Sequence, residues 1–227
     1  MKNIRLILFA LIALAYLTAK AIGHKTLVYI TKPLLMPALA LWLAYETRAR
    51  ESRFLRWAIL GGLMFATIGD ILLLSTGKTS GAFFFLLGLG AFLFTHLFYI
   101  GGFWSVAGRE KGYLFKYPLW ALPFVVFTAC LLWWLWPGIP VGMKLPVTVY
   151  AIVISAMVMS IVHLKGRIPA AAFRNMLAGG LLFMLSDSLI AMHKFGQDFS
   201  GSGFLVMITY ILGQFLIVKS VRDILVA

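Results

Sequence analysis

Residues 54–75 read FLRWAILGGLMFATIGDILLLS, with no charged side chain between Arg56 and Asp70. At 1.5 Å per residue, a helix of this length spans about 30 Å, the thickness of the hydrocarbon core of a bilayer. Asp70 interrupts the apolar run shortly before its end. An aspartate at such a depth costs about 2.5–3.5 kcal/mol to insert, so something on a neighbouring helix has to compensate it. The stretch is a membrane-crossing helix with a carboxylate inside.

The pattern extends in both directions. Apolar runs occupy Ile4–Ala21, Leu27–Tyr45, Phe54–Ser75, Ala82–Trp104, Tyr117–Trp136, Lys144–Leu164, Ala172–Lys194 and Gly203–Val221. They predict an all-α, polytopic transmembrane helix bundle of about eight spans, as one domain over residues 1–227. Of the residues, 62% are hydrophobic and 12% charged, and the mean hydropathy is +0.97. A water-soluble chain is only about half apolar, which excludes a soluble domain. The connections are short and carry Gly, Pro or charge, as in Gly77–Gly81, Pro137–Gly142 and Gly196–Gly203. The start, Met1-Lys2-Asn3-Ile4-Arg5 with Ala19-Lys20-Ala21 after the apolar run, resembles a secretory signal. Its apolar stretch is longer than a usual signal core and Lys20 sits awkwardly in the small-residue triplet, so a retained first helix is expected.

The formal charge of +13 does not point to nucleic acid, because the basic residues sit in short loops and form no stripe. One set of loops and ends holds 14 of them: Lys2, Arg5, Arg48, Arg50, Arg53, Arg56, Arg109, Lys111, Lys116, Lys165, Arg167, Arg174, Lys219 and Arg222. The opposite set holds 5: Lys20, Lys25, Lys78, Lys144 and Lys194. This asymmetry predicts that both termini face the cytoplasm. Cys130, the single cysteine, lies in an apolar run and permits no internal disulfide.

The two halves echo one another. Gly61-Gly62-Leu63-Met64-Phe65 leads into Asp70, and Gly179-Gly180-Leu181-Leu182-Phe183 leads into Asp187, 117 residues later. Nearly the same offset relates Lys32 to Tyr150 and His96 to Gln214. A parallel four-helix internal repeat would explain this, although Gly-Gly-Leu strings are also common in membrane helices.

Four ionisable side chains fall at membrane depth: Lys32, Asp70, His96 and Asp187. The other acids, Glu46, Glu51, Glu110, Asp198 and Asp223, fall in loops or at helix ends and are expected to be solvated. Counting from the outer ends of their spans puts Asp70, Asp187, Lys32 and Tyr150 in one layer about 7–10 Å deep, with His96 below it at about 21 Å. Two carboxylates in one wet pocket suit acid and base work. Burial and mutual repulsion would keep one protonated while Lys32 keeps the other ionised. The alternative is a purely structural Asp–Lys pair that fixes helix packing.

Pro33 and Pro37 remove backbone donors and bend the second span, which leaves Lys32 well placed for a phosphate, unless it snorkels to the interface. Tyr150 can donate to a developing oxygen charge or serve as an interfacial aromatic. His96 and Tyr99 share a helix face, where a buried, hydrogen-bonded histidine is the simpler role. His24, His163 and His193 lie at ends or in loops, so no metal site is expected. Thr76-Gly77-Lys78-Thr79 fails as a phosphate-binding loop because residue 72 is leucine. Ser186 lacks a histidine placed for a nucleophilic triad.

In order, Lys32-Pro33-Leu34-Leu35-Met36-Pro37, Gly69-Asp70, Gly90…His96…Tyr99, Tyr150, Phe183…Ser186-Asp187 and Tyr210…Gln214 resemble the YhhN-type lysoplasmalogenase family, over roughly residues 28–216. The resemblance implies a cofactor-free, eight-helix enzyme of a bacterial inner membrane. It would hydrolyse the vinyl ether of lysoplasmalogens to a fatty aldehyde and glycerophosphoethanolamine or glycerophosphocholine. Its partners would be the lysophospholipid and the surrounding membrane lipids. Asp70 and Asp187 would be the catalytic pair, with Lys32 on the phosphate and His96, Tyr99, Tyr150, Ser186 and Gln214 in the substrate pocket. Vinyl ether hydrolysis protonates the β-carbon and traps the resulting oxocarbenium ion with water, which suits one carboxylic acid and one carboxylate. Hydrolysis of another lysolipid bond, or proton-coupled transport of a lipid or small molecule, are the rival expectations. A transporter's acids would lie near the midplane, whereas these are offset to one side.

Overall fold

The computed structural model describes residues 4–50, 54–75, 81–107, 112–197 and 201–227. Lys2, Glu51, Arg53, Lys78, Arg109, Glu110, Lys111, Asp198 and the Thr76–Thr79 segment lie outside the described residues.

The chain forms α1 (Ile4–Ala21), α2 (Lys25–Glu46), α3 (Phe54–Leu74), α4 (Gly81–Ala107), a short α5 (Tyr113–Lys116), α6 (Leu122–Leu135), α7 (Val141–His163), α8 (Ala170–Phe195) and α9 (Ser202–Val226). Among the described residues there is no strand. Among the described residues, eight stretches are long and apolar enough to cross a membrane, the one around α6 running from Pro118 to Gly138 with a 3-10 turn at each end. α2 continues as one helix through Pro33 and Pro37.

The apolar runs mark these helices to within a few residues. The largest differences are at the start of α6, where a 3-10 turn occupies Pro118–Ala121, and at the end of α9, which continues past Val221 because Leu225 still finds a buried position. That extension carries Arg222 beside the end of α2. Its Nη2 lies 3.1 Å from Glu46 Oε2 and its Nη1 3.0 Å from Asp223 Oδ1. Glu46 and Asp223, expected to be merely solvated, are thus ion-paired.

The exterior is apolar, with Trp133, Leu119 and Val141 strongly exposed, as befits a surface whose solvent is lipid. Inside, close approach replaces hydrophobic drive as the source of helix association. A methyl group on Gly179 would lie 2.7 Å from the Gly213 carbonyl oxygen, and one on Gly213 2.9 Å from that of Gly179. The backbones of α8 and α9 can touch here only because both residues are glycine. Thr95 Oγ1 donates across to Gly62 O at 3.1 Å and ties α4 to α3.

Successive helices α1 to α4 lie side by side, α4 leans on α7, α7 on α8 and α8 on α9, and α9 closes back against α1, α2 and α3. The inward faces of α2, α3, α8 and α9 therefore surround a common interior. α6 stands outside this ring against α7 and α8, with only Thr128 and Leu135 buried and Cys130 exposed.

Candidate functional site

Asp70 stands one turn before the end of α3 and is 2% exposed. Its Oδ1 faces Lys32 Nζ at 3.5 Å and its Oδ2 accepts from Tyr210 Oη at 2.9 Å. A carboxylate this deep needs a cation and donors to remain, and α2 and α9 supply them.

Asp187, on α8, has different neighbours. Its Oδ2 accepts from Tyr150 Oη and lies 3.2 Å from His96 Nε2, which is also 3.0 Å from Tyr150 Oη. His96 is wholly buried and its Nδ1 has no partner among the described residues. A proton on Nδ1 would be a buried donor without an acceptor, so the neutral ring carries its proton on Nε2. Two donors then converge on Oδ2, while Oδ1 bonds none of the described residues.

His96, expected below the layer of the other groups, belongs to it. α4 has 27 residues, about 40 Å at 1.5 Å each, so it exceeds the hydrocarbon thickness and depth counted from its first residue is overestimated.

Two cavities meet at Asp187. The larger, about 670 Å³, is a hollow whose wall carries the polar groups of Lys32, Asp70, Asp187 and Tyr210, with Tyr16, Lys20, Lys25 and His193, among apolar residues such as Val28 and Met207. The other is a narrow apolar cleft of about 60 Å³ among α4, α6, α7 and α8, walled by residues such as Phe85, Leu132, Val147, Ala151 and Ile154. Tyr150 lies on the cleft wall, and Thr128 Oγ1 pairs there with Ser155 Oγ at 2.5 Å. Asp187, Leu73, Phe92 and Ile190 belong to both walls.

Of the residues singled out in the sequence, Lys32, Asp70, His96, Tyr150 and Asp187 come together around this junction. Ser186 is on the hollow's wall, but its hydroxyl donates to Val206 O at 2.9 Å and joins α8 to α9. Tyr99 and Gln214 are not on either wall. They are fully buried and bond each other, Tyr99 Oη to Gln214 Oε1 at 2.6 Å, and Gln214 Nε2 has no partner among the described residues.

Tyr16, Lys20, Lys25 and His193 were not expected at the site, and Tyr210 was expected only through the family pattern. Lys20 and Lys25 count as loop charges in a sequence, and the left-handed turn at Gly23 (φ +74°) that folds them toward one opening was the available signal.

Residues 27–221 match the YhhN family. The chain is similar to a lysoplasmalogenase of Mycobacterium bovis (strain ATCC BAA-935 / AF2122/97), 33% identical over 175 residues, which is 76% of this chain and 62% of the relative. The lysoplasmalogenase of Mycobacterium tuberculosis (strain CDC 1551 / Oshkosh) gives the same figures, 33% over 175 residues, 76% and 62%. Lysoplasmalogenase TMEM86B of Sus scrofa is 30% identical over 169 residues, covering 72% of this chain and 62% of the relative. The matched stretch thus spans 62% of the length of each of these relatives. No solved structure matches.

Proposed function

The chain belongs to the YhhN family, and on that premise we propose that it is a lysoplasmalogenase, hydrolysing the vinyl ether of an alkenyl glycerophospholipid within the membrane. The observation that carries this is the junction of a hollow bearing charged side chains and an apolar cleft at one carboxylate, Asp187. A lysoplasmalogen is an amphiphile whose vinyl ether stands between a glycerophospho-base and an alkyl chain. With the headgroup in the hollow and the chain in the cleft, the ether lies beside Asp187.

The direction of the bond assigns the two acids. The carbon that takes the proton is on the chain side of the ether, so the acid is the carboxyl that borders the cleft. Asp187 delivers its proton from Oδ1, and Tyr150 and His96 on Oδ2 stabilise the carboxylate left behind. The oxocarbenium carbon then faces the hollow. Asp70, ion-paired with Lys32, removes a proton from the water that attacks it. The hemiacetal breaks its bond to the glycerol oxygen, which takes, through water, the proton that the hemiacetal hydroxyl gives up, and the carbonyl of the aldehyde forms. One water is consumed and the proton gained by Asp70 returns to Asp187 through water in the hollow. The lysine and arginine asymmetry supports a hollow opening on the outer side of a cytoplasmic membrane.

The test is mass spectrometry of the products after incubating purified protein in detergent with alkenyl and with acyl lysophospholipids. Release of a fatty aldehyde together with the glycerophospho-base is expected from the alkenyl substrate. No aldehyde, or equal cleavage of the acyl lipid, refutes the assignment. Transport cannot produce either product in detergent.

A further inference from the structure

We infer that Lys20 and Lys25 form the phosphate-binding subsite of the hollow, a role expected of Lys32 from its place in the second span. The inference rests on the lysophospholipid substrate proposed above. Lys32 is only 9% exposed and its ammonium lies against Asp70, so its charge is already matched inside the wall. Lys20 and Lys25 are on the same wall, both exposed, and among the described residues neither is ion-paired. Among the described residues, the hollow therefore carries unmatched positive charge where its wall is exposed and balanced charge at its depth. A phosphodiester monoanion outside and a reacting ether inside fit that gradient.

The local structure holds the two lysines in place. Lys20 ends α1 and Lys25 begins α2. Between them Gly23, at φ +74°, reverses the chain, and His24 Nδ1 accepts from Leu27 N at 3.3 Å to cap α2. Across the opening, a methyl group on Gly203 would lie 3.2 Å from Lys20 Nζ, so glycine there leaves room for the ammonium. Both lysines precede residue 27, where the family match begins. The headgroup subsite is thus supplied from outside the matched region that holds the two acids.

The experiment pairs activity with binding. Lys20→Gln, Lys25→Gln and the double variant are compared with Lys144→Gln, which alters a lysine lying over the Trp136 ring, away from both walls. The ratio of kcat/KM for a lysoplasmalogen to that for the phosphate-free alkenylglycerol should fall at least about tenfold per lysine, the worth of one charge-assisted hydrogen bond. Lys144→Gln should leave the ratio where it was. Calorimetry with glycerophosphoethanolamine and with inorganic phosphate supplies the second readout, and the double variant should bind the former at least about tenfold more weakly.

An unchanged ratio, or equal losses on both substrates, overturns the inference. So does weakened binding of inorganic phosphate with unaltered glycerophosphoethanolamine binding, which would mark a free-phosphate site. If wild-type protein releases no aldehyde, the proposed reaction fails, and the calorimetric comparison still decides whether these lysines hold a phosphate.

Discussion

The ammonium of Lys32 stands 3.5 Å from Oδ1 of Asp70, and both residues are buried. Removing one member of such a pair strands the other's charge, at a cost of about 3–5 kcal/mol. Lys32→Met is therefore expected to lower the unfolding temperature in detergent sharply, and Lys32→Met/Asp70→Leu to recover most of the loss. Thermal unfolding of the two variants checks this. A single variant as stable as wild type would show that the pair contributes nothing.

Asp187→Asn keeps the shape of the side chain and removes its acid. Aldehyde release should fall at least about a hundredfold while the elution profile of the folded protein is unchanged. In deuterated water the wild-type aldehyde should carry one deuterium on the carbon next to its carbonyl, as carbon protonation requires. Mass spectrometry of the aldehyde reads this directly.

Tyr150→Phe removes one of the two donors on Asp187 Oδ2. That donor matters most once the carboxylate has formed, so kcat should drop about 10–100-fold with little change in KM. Steady-state kinetics on the alkenyl substrate separate the two parameters.

Ala151 lies on the wall of the apolar cleft. Ala151→Phe would fill space that an alkyl chain needs, so activity should fall steeply for long chains and little for short ones. The measurement is kcat/KM across alkenyl chain lengths, and a uniform loss would count against a chain-binding cleft.

Tyr99→Phe leaves Gln214 with no partner for its Oε1 or its Nε2. A stability loss of about 1–3 kcal/mol is expected, with activity per folded molecule retained, because the pair lies off both walls. Unfolding and activity measured on the same preparation test the two halves of this statement.

The helices were legible because lipid as solvent demands long uninterrupted apolar runs, and Phe54–Ser75 could be little else. The meeting of Lys32, Asp70, Asp187 and Tyr150 was legible because each lies a similar distance from the helix end on one side of the bundle, the start of α2 and α7 and the end of α3 and α8. His96 was misplaced because α4 overreaches the bilayer, which makes counting from its start unreliable. Tyr16 and Tyr210 were hidden in apolar runs, where nothing in the local pattern separates a wall of a cavity from a lipid-facing stripe. The cleft was invisible for the same reason. Residues such as Leu132 and Val147 look alike in sequence whether they touch a neighbouring helix, a lipid or a bound chain.

The two chambers border different phases. The hollow carries exposed lysines, and the cleft has on one side α6, most of whose surface faces outward. On the proposed reaction, the fragments of a cleaved molecule would have no shared exit. The aldehyde would slip sideways into the bilayer while the glycerophospho-base diffused into water. Neither would need to wait for the other, and recombination at Asp187 would require both to return from opposite sides.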